Sequence, residues 1–72
     1  MQNSKEKTLS QRIADRIIKY ILEENLQPGD KLPNETVMCE QLNVGRSSLR
    51  EAMRALASRN VITIRQGSGS YV

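Results

Sequence analysis

Arg46, Arg50 and Arg54 recur every four residues, so on an α-helix they form a row along one side. Their guanidinium groups are planar donor forks, shaped for phosphate or for the O6 and N7 edge of guanine. Ser47 and Ser48 follow the first of them. In a helix's first turn their hydroxyls and adjacent N–H groups can grip a phosphate, helped by the helix dipole. Leu49, Met53 and Leu56 fall on another side and suit a small core. A helix that buries one face and offers arginines on another is built to lie against something anionic and planar-edged. DNA is the leading candidate.

Charge supports that reading through its distribution. Residues 1–43 carry a net −1, whereas residues 44–72 carry +4, with five arginines against Glu51 alone and no lysine. Other chemistry lacks its parts. The chain has no His, and Cys39 is its one cysteine, so the commonest general base, the usual zinc ligands and an internal disulfide are all missing. Cys39, between Met38 and Leu42 on a helical pattern, is expected as a small core residue. Enzymatic activity and a cofactor are not expected in this domain. With no signal-peptide pattern and no apolar run of about 18 residues, the chain is expected to be cytoplasmic, without a membrane partner.

The elements that must position the arginines fit in 72 residues, one domain at most, with a core near the lower limit for independent folding. That core must be aliphatic, because Tyr20 and Tyr71 are the only aromatics. The start at Met1 fits a complete small protein and a fragment equally well. Residues 1–7 read as a loose N-terminal arm and 8–72 as the folded domain. Thr8 and Gln11 have the spacing of a capping box, and Leu9, Ile13, Ile17, Ile18, Ile21 and Leu22 then follow helical spacing to about Glu24 or Asn25. Tyr20 and Lys19 on this helix could touch a partner, though nothing demands it.

Gln27-Pro28-Gly29-Asp30 reads as a type II turn and Lys31-Leu32-Pro33 as an extended link, with Leu32 anchoring it to the core. Asn34 stands where an N-cap belongs, with Glu35 in the first turn of a short helix carried by Val37, Met38, Cys39, Gln41 and Leu42. Asn43 can end it left-handed and Val44 can plug the corner before the arginine helix. That helix should run from Gly45 or Arg46 to about Ser58, closed by Asn60. Val61–Arg65 is rich in β-branched residues and reads as a strand, Gln66–Gly69 as a hairpin tip and Ser70–Val72 as the return strand. The result is mainly α with a small β-hairpin, in the order α-α-α-β-β: a winged helix-turn-helix.

Three stretches then resemble motifs of the DNA-binding domain of the GntR family of bacterial transcription regulators, within a likeness that runs over residues 9–72 without a gap. They are Leu26–Glu35, Val44–Ala52 and Ile64–Val72. Details slightly favour the FadR-like branch. The resemblance implies a C-terminal effector-binding and dimerising domain absent from this chain, binding to a palindromic operator as a homodimer, and a small-molecule effector acting only at that missing domain. Repression is the expected mode, although these residues do not encode the sign of regulation. By position, Thr36, Arg46, Ser47, Ser48, Arg50, Arg54, Gln66 and Gly67 are the expected DNA-binding residues.

Their roles differ. Arg46 should reach phosphate or a guanine edge, Arg50 should make the bidentate guanine contact, and Arg54 should meet phosphate or solvent. Gln66 and Gly67 should approach the minor groove, unless they form an ordinary hairpin tip; the serines could equally reflect first-turn preference. Glu51 is expected to orient an arginine. Three positions depart from the family pattern. Thr36 stands where many members have Arg, Gly45 replaces the usual Ser or Thr cap, and Asn43 and Asn60 replace common glycines. The competing reading is a winged helix used as a protein–protein interaction module, its arginines pairing with acidic partner residues. An RNA-binding domain fits less well, because the chain lacks an aromatic platform for splayed bases. Guanidinium groups tucked against the protein's own carboxylates would reduce the regulator reading to a family likeness.

Overall fold

The computed structural model describes residues 7–72. The expected arm therefore lies outside the described residues except for Lys7, whose ammonium pairs with Asp15. Three helices, α1 (Leu9–Glu23), α2 (Glu35–Leu42) and α3 (Arg46–Ser58), precede an antiparallel hairpin of β1 (Thr63–Arg65) and β2 (Gly69–Tyr71). This is the expected α-α-α-β-β winged helix-turn-helix.

Local chemistry sets each helix start. Thr8 accepts from the Gln11 backbone N–H while the Gln11 side chain accepts from that of Thr8, completing the capping box. Asn34 accepts from the Val37 N–H and starts α2. Gly45 starts α3 without any side-chain cap, the cost of having no hydroxyl there.

All three helices stop in the same way. Asn25, Asn43 and Asn60 take φ of 54°, 57° and 62°, the left-handed region that Asn tolerates better than most residues. The following N–H groups, of Leu26, Val44 and Val61, donate back to Ile21, Cys39 and Leu56, and those three apolar side chains turn onto the core. This is the reversal that satisfies the orphan carbonyls of a helix end. Arg16 adds a tie between helices by donating to the Leu42 carbonyl at 2.9 Å.

The core joins Ile13, Ala14, Ile17 and Ile21 of α1 to Leu49, Ala52 and Leu56 of α3, closed by Leu32, Met38 and Ile62. The α1 stripe differs from its sequence reading. Leu9 and Leu22 are 54 % and 73 % exposed, and Ala14 is buried in their stead. Leu22 lies roughly 140° around the helix from Ile17, off the face that meets α3. Cys39 is half-buried against the core, as are Leu42 and Met53, whereas Gln41 is exposed. Tyr20 also packs on the core rather than standing free.

The first strand is shorter than the β-branched run suggests. The Val61 N–H is committed to Leu56, so residues 61 and 62 turn the corner and Ile62 plugs the core before pairing begins at Thr63. The return strand starts one residue early, because Gly69 pairs with Arg65. The link before α2 is also more than a link. Gly29, at φ 95°, completes the expected turn, in which Asp30 N–H donates to Gln27. Backbone bonds then join Gly29 and Asp30 to Val72, and Leu32 to Ser70, at 2.8–2.9 Å, with a bridge between Lys31 and Tyr71. The wing therefore gains a short third edge, which an isolated two-stranded ribbon needs in order to persist.

Candidate nucleic-acid interface

The helix that carries the arginine row is fixed from below. Leu49, Ala52 and Leu56 are buried against α1, which leaves Arg46, Arg50 and Arg54 on its exposed side. Ser47 is exposed and Ser48 half-buried in the first turn, next to the uncapped N-terminus. Across from α3 the wing tip presents Gln66 and Gly67, both exposed, with Gly67 at φ 76° in the turn closed by Ser68 N–H on Arg65. Between helix and wing runs an open groove of about 510 Å³. Its lining includes Lys31, Arg50, Arg54, Arg65 and Gln66, over a floor that takes in Met53 and Ile64.

Two of the arginines are not free. Glu35, the first residue of α2, receives Arg50 Nε at 2.8 Å and Arg50 Nη2 at 3.1 Å, a side-on bidentate contact. The same carboxylate takes Arg46 Nη1 at 3.3 Å, and Arg46 Nη2 donates to the Thr36 hydroxyl at 3.0 Å. Arg50's hydrogen bond is the main cause that holds the Glu35 carboxyl below its usual value; desolvation opposes it, and the charges of Arg50 and Arg46 add to the lowering. The bond to Glu35 raises the Arg50 guanidinium in turn.

This arrangement is the contrary observation named above, guanidinium groups on the protein's own carboxylate. Its weight is set by exposure. The Arg46 and Arg50 side chains remain 59 % and 56 % accessible, and the Glu35 side chain 33 %. Ion pairs this open contribute little to folding and exchange partners readily. The pairing therefore describes how the arginines are held when no partner is present, and it leaves them within reach of one.

It also corrects the expectation for Glu51. That residue is exposed and makes no ion pair among the described residues; it follows Arg50 directly, and adjacent helical residues do not face each other. Glu35, from a different helix, does the orienting. Arg54 has no carboxylate within ion-pair distance among the described residues.

Sequence reasoning missed Lys31 and Arg65 as groove residues. Arg65 sits over the Tyr71 ring, 5.5 Å from its centroid, and the Tyr71 hydroxyl shares a hydrogen bond with that of Ser68. The signal for Arg65 was its place in the arginine-only half of the chain; Lys31 arrives only through the third edge of the wing.

Helix-turn-helix, wing and basic groove together define a winged-helix regulatory domain. The model of the gntR family of bacterial regulatory proteins matches residues 9–72, and the chain belongs to that family. It is 45 % identical over 64 residues to the putative L-lactate dehydrogenase operon regulatory protein of Escherichia coli K12. That match covers 89 % of this chain and 25 % of the relative, so the chain spans about a quarter of the length of that curated protein. Among solved structures, a GntR protein of Streptococcus agalactiae superposes with a TM-score of 0.83 at 51 % identity, over 88 % of this chain and 30 % of its own. The AraR DNA-binding domain in complex with operator ORE1 gives 0.83 at 25 % identity, over all of this chain and 89 % of that one. The family is one of regulators, not enzymes, and no helix among the described residues is long and apolar enough to cross a membrane.

Proposed function

We propose that this chain is the sequence-specific DNA-binding domain of a cytoplasmic, metabolite-responsive bacterial transcription regulator. The observation that carries the reading is the groove itself. Arg50 and Arg54 of a core-anchored helix and a glycine-tipped wing border one cleft rich in basic side chains, with Arg46 exposed just outside it, in a fold shared with a domain solved on its operator. Helix α3 enters the major groove, where Arg50 takes a guanine edge and Arg46 a neighbouring edge or phosphate. Ser47, Ser48 and Arg54 hold phosphates. Thr36 acts through Arg46, which it already bonds, and Gln66 and Gly67 approach the minor groove.

The whole protein adds a C-terminal domain that dimerises and binds a small-molecule effector, so that two copies read a palindromic operator. The FadR-like branch and repression are the finer assignments; this domain itself carries no cofactor. A gel shift with palindromic against random duplex tests the reading: preference for the palindrome supports it, and equal binding rejects it. Affinity should also fall steeply with salt, as counterion release requires.

One observation favours a second reading, a protein–protein module. Glu35 demonstrates that a carboxylate fits between Arg46 and Arg50. Under that reading an acidic partner displaces Glu35, and the same gel shift shows no preference for any duplex.

A further inference from the structure

We propose that Glu35 is a specificity-determining residue of this interface, an internal carboxylate that presents Arg46 and Arg50 to neutral base edges and disfavours phosphate as their partner. The inference rests on the DNA-binding reading above and adds a residue that makes no contact with DNA in it.

The geometry supplies the first half of the argument. Arg50 gives Glu35 its Nε hydrogen and one Nη2 hydrogen. A guanidinium has five N–H donors in a fixed plane, so the end formed by Nη1 and the second Nη2 hydrogen stays open. That end is itself a two-pronged donor, matched to O6 and N7 of guanine. Glu35 therefore holds the Arg50 fork by its side without blocking its tip, whereas Arg46 gives Nη1 to Glu35 and Nη2 to the Thr36 hydroxyl and keeps its Nε–H side open.

Charge supplies the second half. A guanine edge is polar but carries no net charge, so it can share Arg50 with Glu35. A phosphate brings a second anion to the same fork and is repelled by the carboxylate unless Glu35 gives way. Non-specific association consists almost wholly of phosphate contacts, whereas operator binding adds base edges. A carboxylate in this place thus weakens non-specific binding more than specific binding. Because the pair is exposed, exchange at the arginines needs no opening of the core.

The test compares the wild-type chain with Glu35→Gln and Glu35→Asp. The ligands are a duplex that the wild type enriches from a random pool and a scrambled duplex of the same length, with affinities read by fluorescence anisotropy at fixed salt. Circular dichroism confirms that the variants are folded. Glu35→Gln should bind the scrambled duplex about two- to fivefold more tightly, with a steeper salt dependence, so that its specificity ratio falls. Glu35→Asp, which keeps the charge with a shorter reach, should fall between. An unchanged scrambled affinity overturns the proposal, even if operator binding is lost, because the ratio would then have changed through positioning alone. If the wild type enriches no sequence, the DNA-binding reading fails and this proposal with it. If it enriches one and Glu35→Gln keeps the wild-type ratio, only the proposal fails.

Discussion

Along α3, Arg46 and Arg50 are tied to a carboxylate from a neighbouring helix, whereas in the wing Arg65 lies over the ring of Tyr71 and touches no acid among the described residues. Arg50 and Arg65 line one groove with the same side chain under different restraints. A carboxylate takes up hydrogen-bond donors and offsets charge, leaving a defined set of donors directed outward. An aromatic ring steadies the cation and leaves every N–H available. The first arrangement suits a choice among base edges; the second suits attachment to whatever phosphate lies beside the wing. Under the proposed function, base reading would fall to α3 and the wing would add holding contacts.

The largest departure should come from Arg50→Ala. Preference for the selected duplex over a scrambled one should fall roughly 10- to 100-fold, in line with loss of a bidentate base contact, while weak, salt-sensitive binding survives. Retained preference in an anisotropy titration would move the reading role elsewhere. Gly67→Val comes next. An added Cβ meets open space, so the penalty is conformational, from φ 76°: ~1–2 kcal/mol of stability in a denaturant titration. Both duplexes should then bind more weakly by a similar factor with the circular dichroism unchanged, and unaltered affinity would remove the wing contact.

Tyr71→Leu keeps apolar bulk but removes the ring under Arg65 and the bond to Ser68. It should weaken both duplexes about two- to fivefold, without changing their ratio; a changed ratio would give the wing a reading role. The smallest effect belongs to Gly45→Ser, which should stabilise the domain by about a few tenths of a kcal/mol in thermal melts, since a side chain there has room. No gain would mean that the α3 N-terminus is already satisfied by solvent.

What was legible in the sequence was whatever depends on neighbours along the chain. The Thr8–Gln11 box, the Asn34 cap, the Pro28-Gly29 turn and the left-handed Asn43 and Asn60 all stand where their spacing places them. The row of arginines was legible too, because helical period fixes it. Errors begin where the partner comes from elsewhere. Leu9 and Leu22 have helical spacing but lie beyond or beside the contact with α3. Val61 is β-branched yet serves the helix end, because the Leu56 carbonyl takes its N–H. Residues 29–32 become an edge of the wing only when the chain returns at Ser70 to Val72, some forty positions later. Glu35 is 11 residues from Arg46 and 15 from Arg50, and its choice as their partner over Glu51 depends on how α2 and α3 cross.

The most direct test of the interface is a heteronuclear NMR titration of the labelled domain with the selected duplex, following backbone amides and arginine side-chain N–H groups. The account predicts large shifts at Arg46, Ser47, Ser48 and Arg50, smaller ones at Gln66 and Gly67, and little change on the outer face of α1 around Lys19 and Leu22. Shifts centred on that outer face, with the Arg50 Nε signal unmoved, would contradict it.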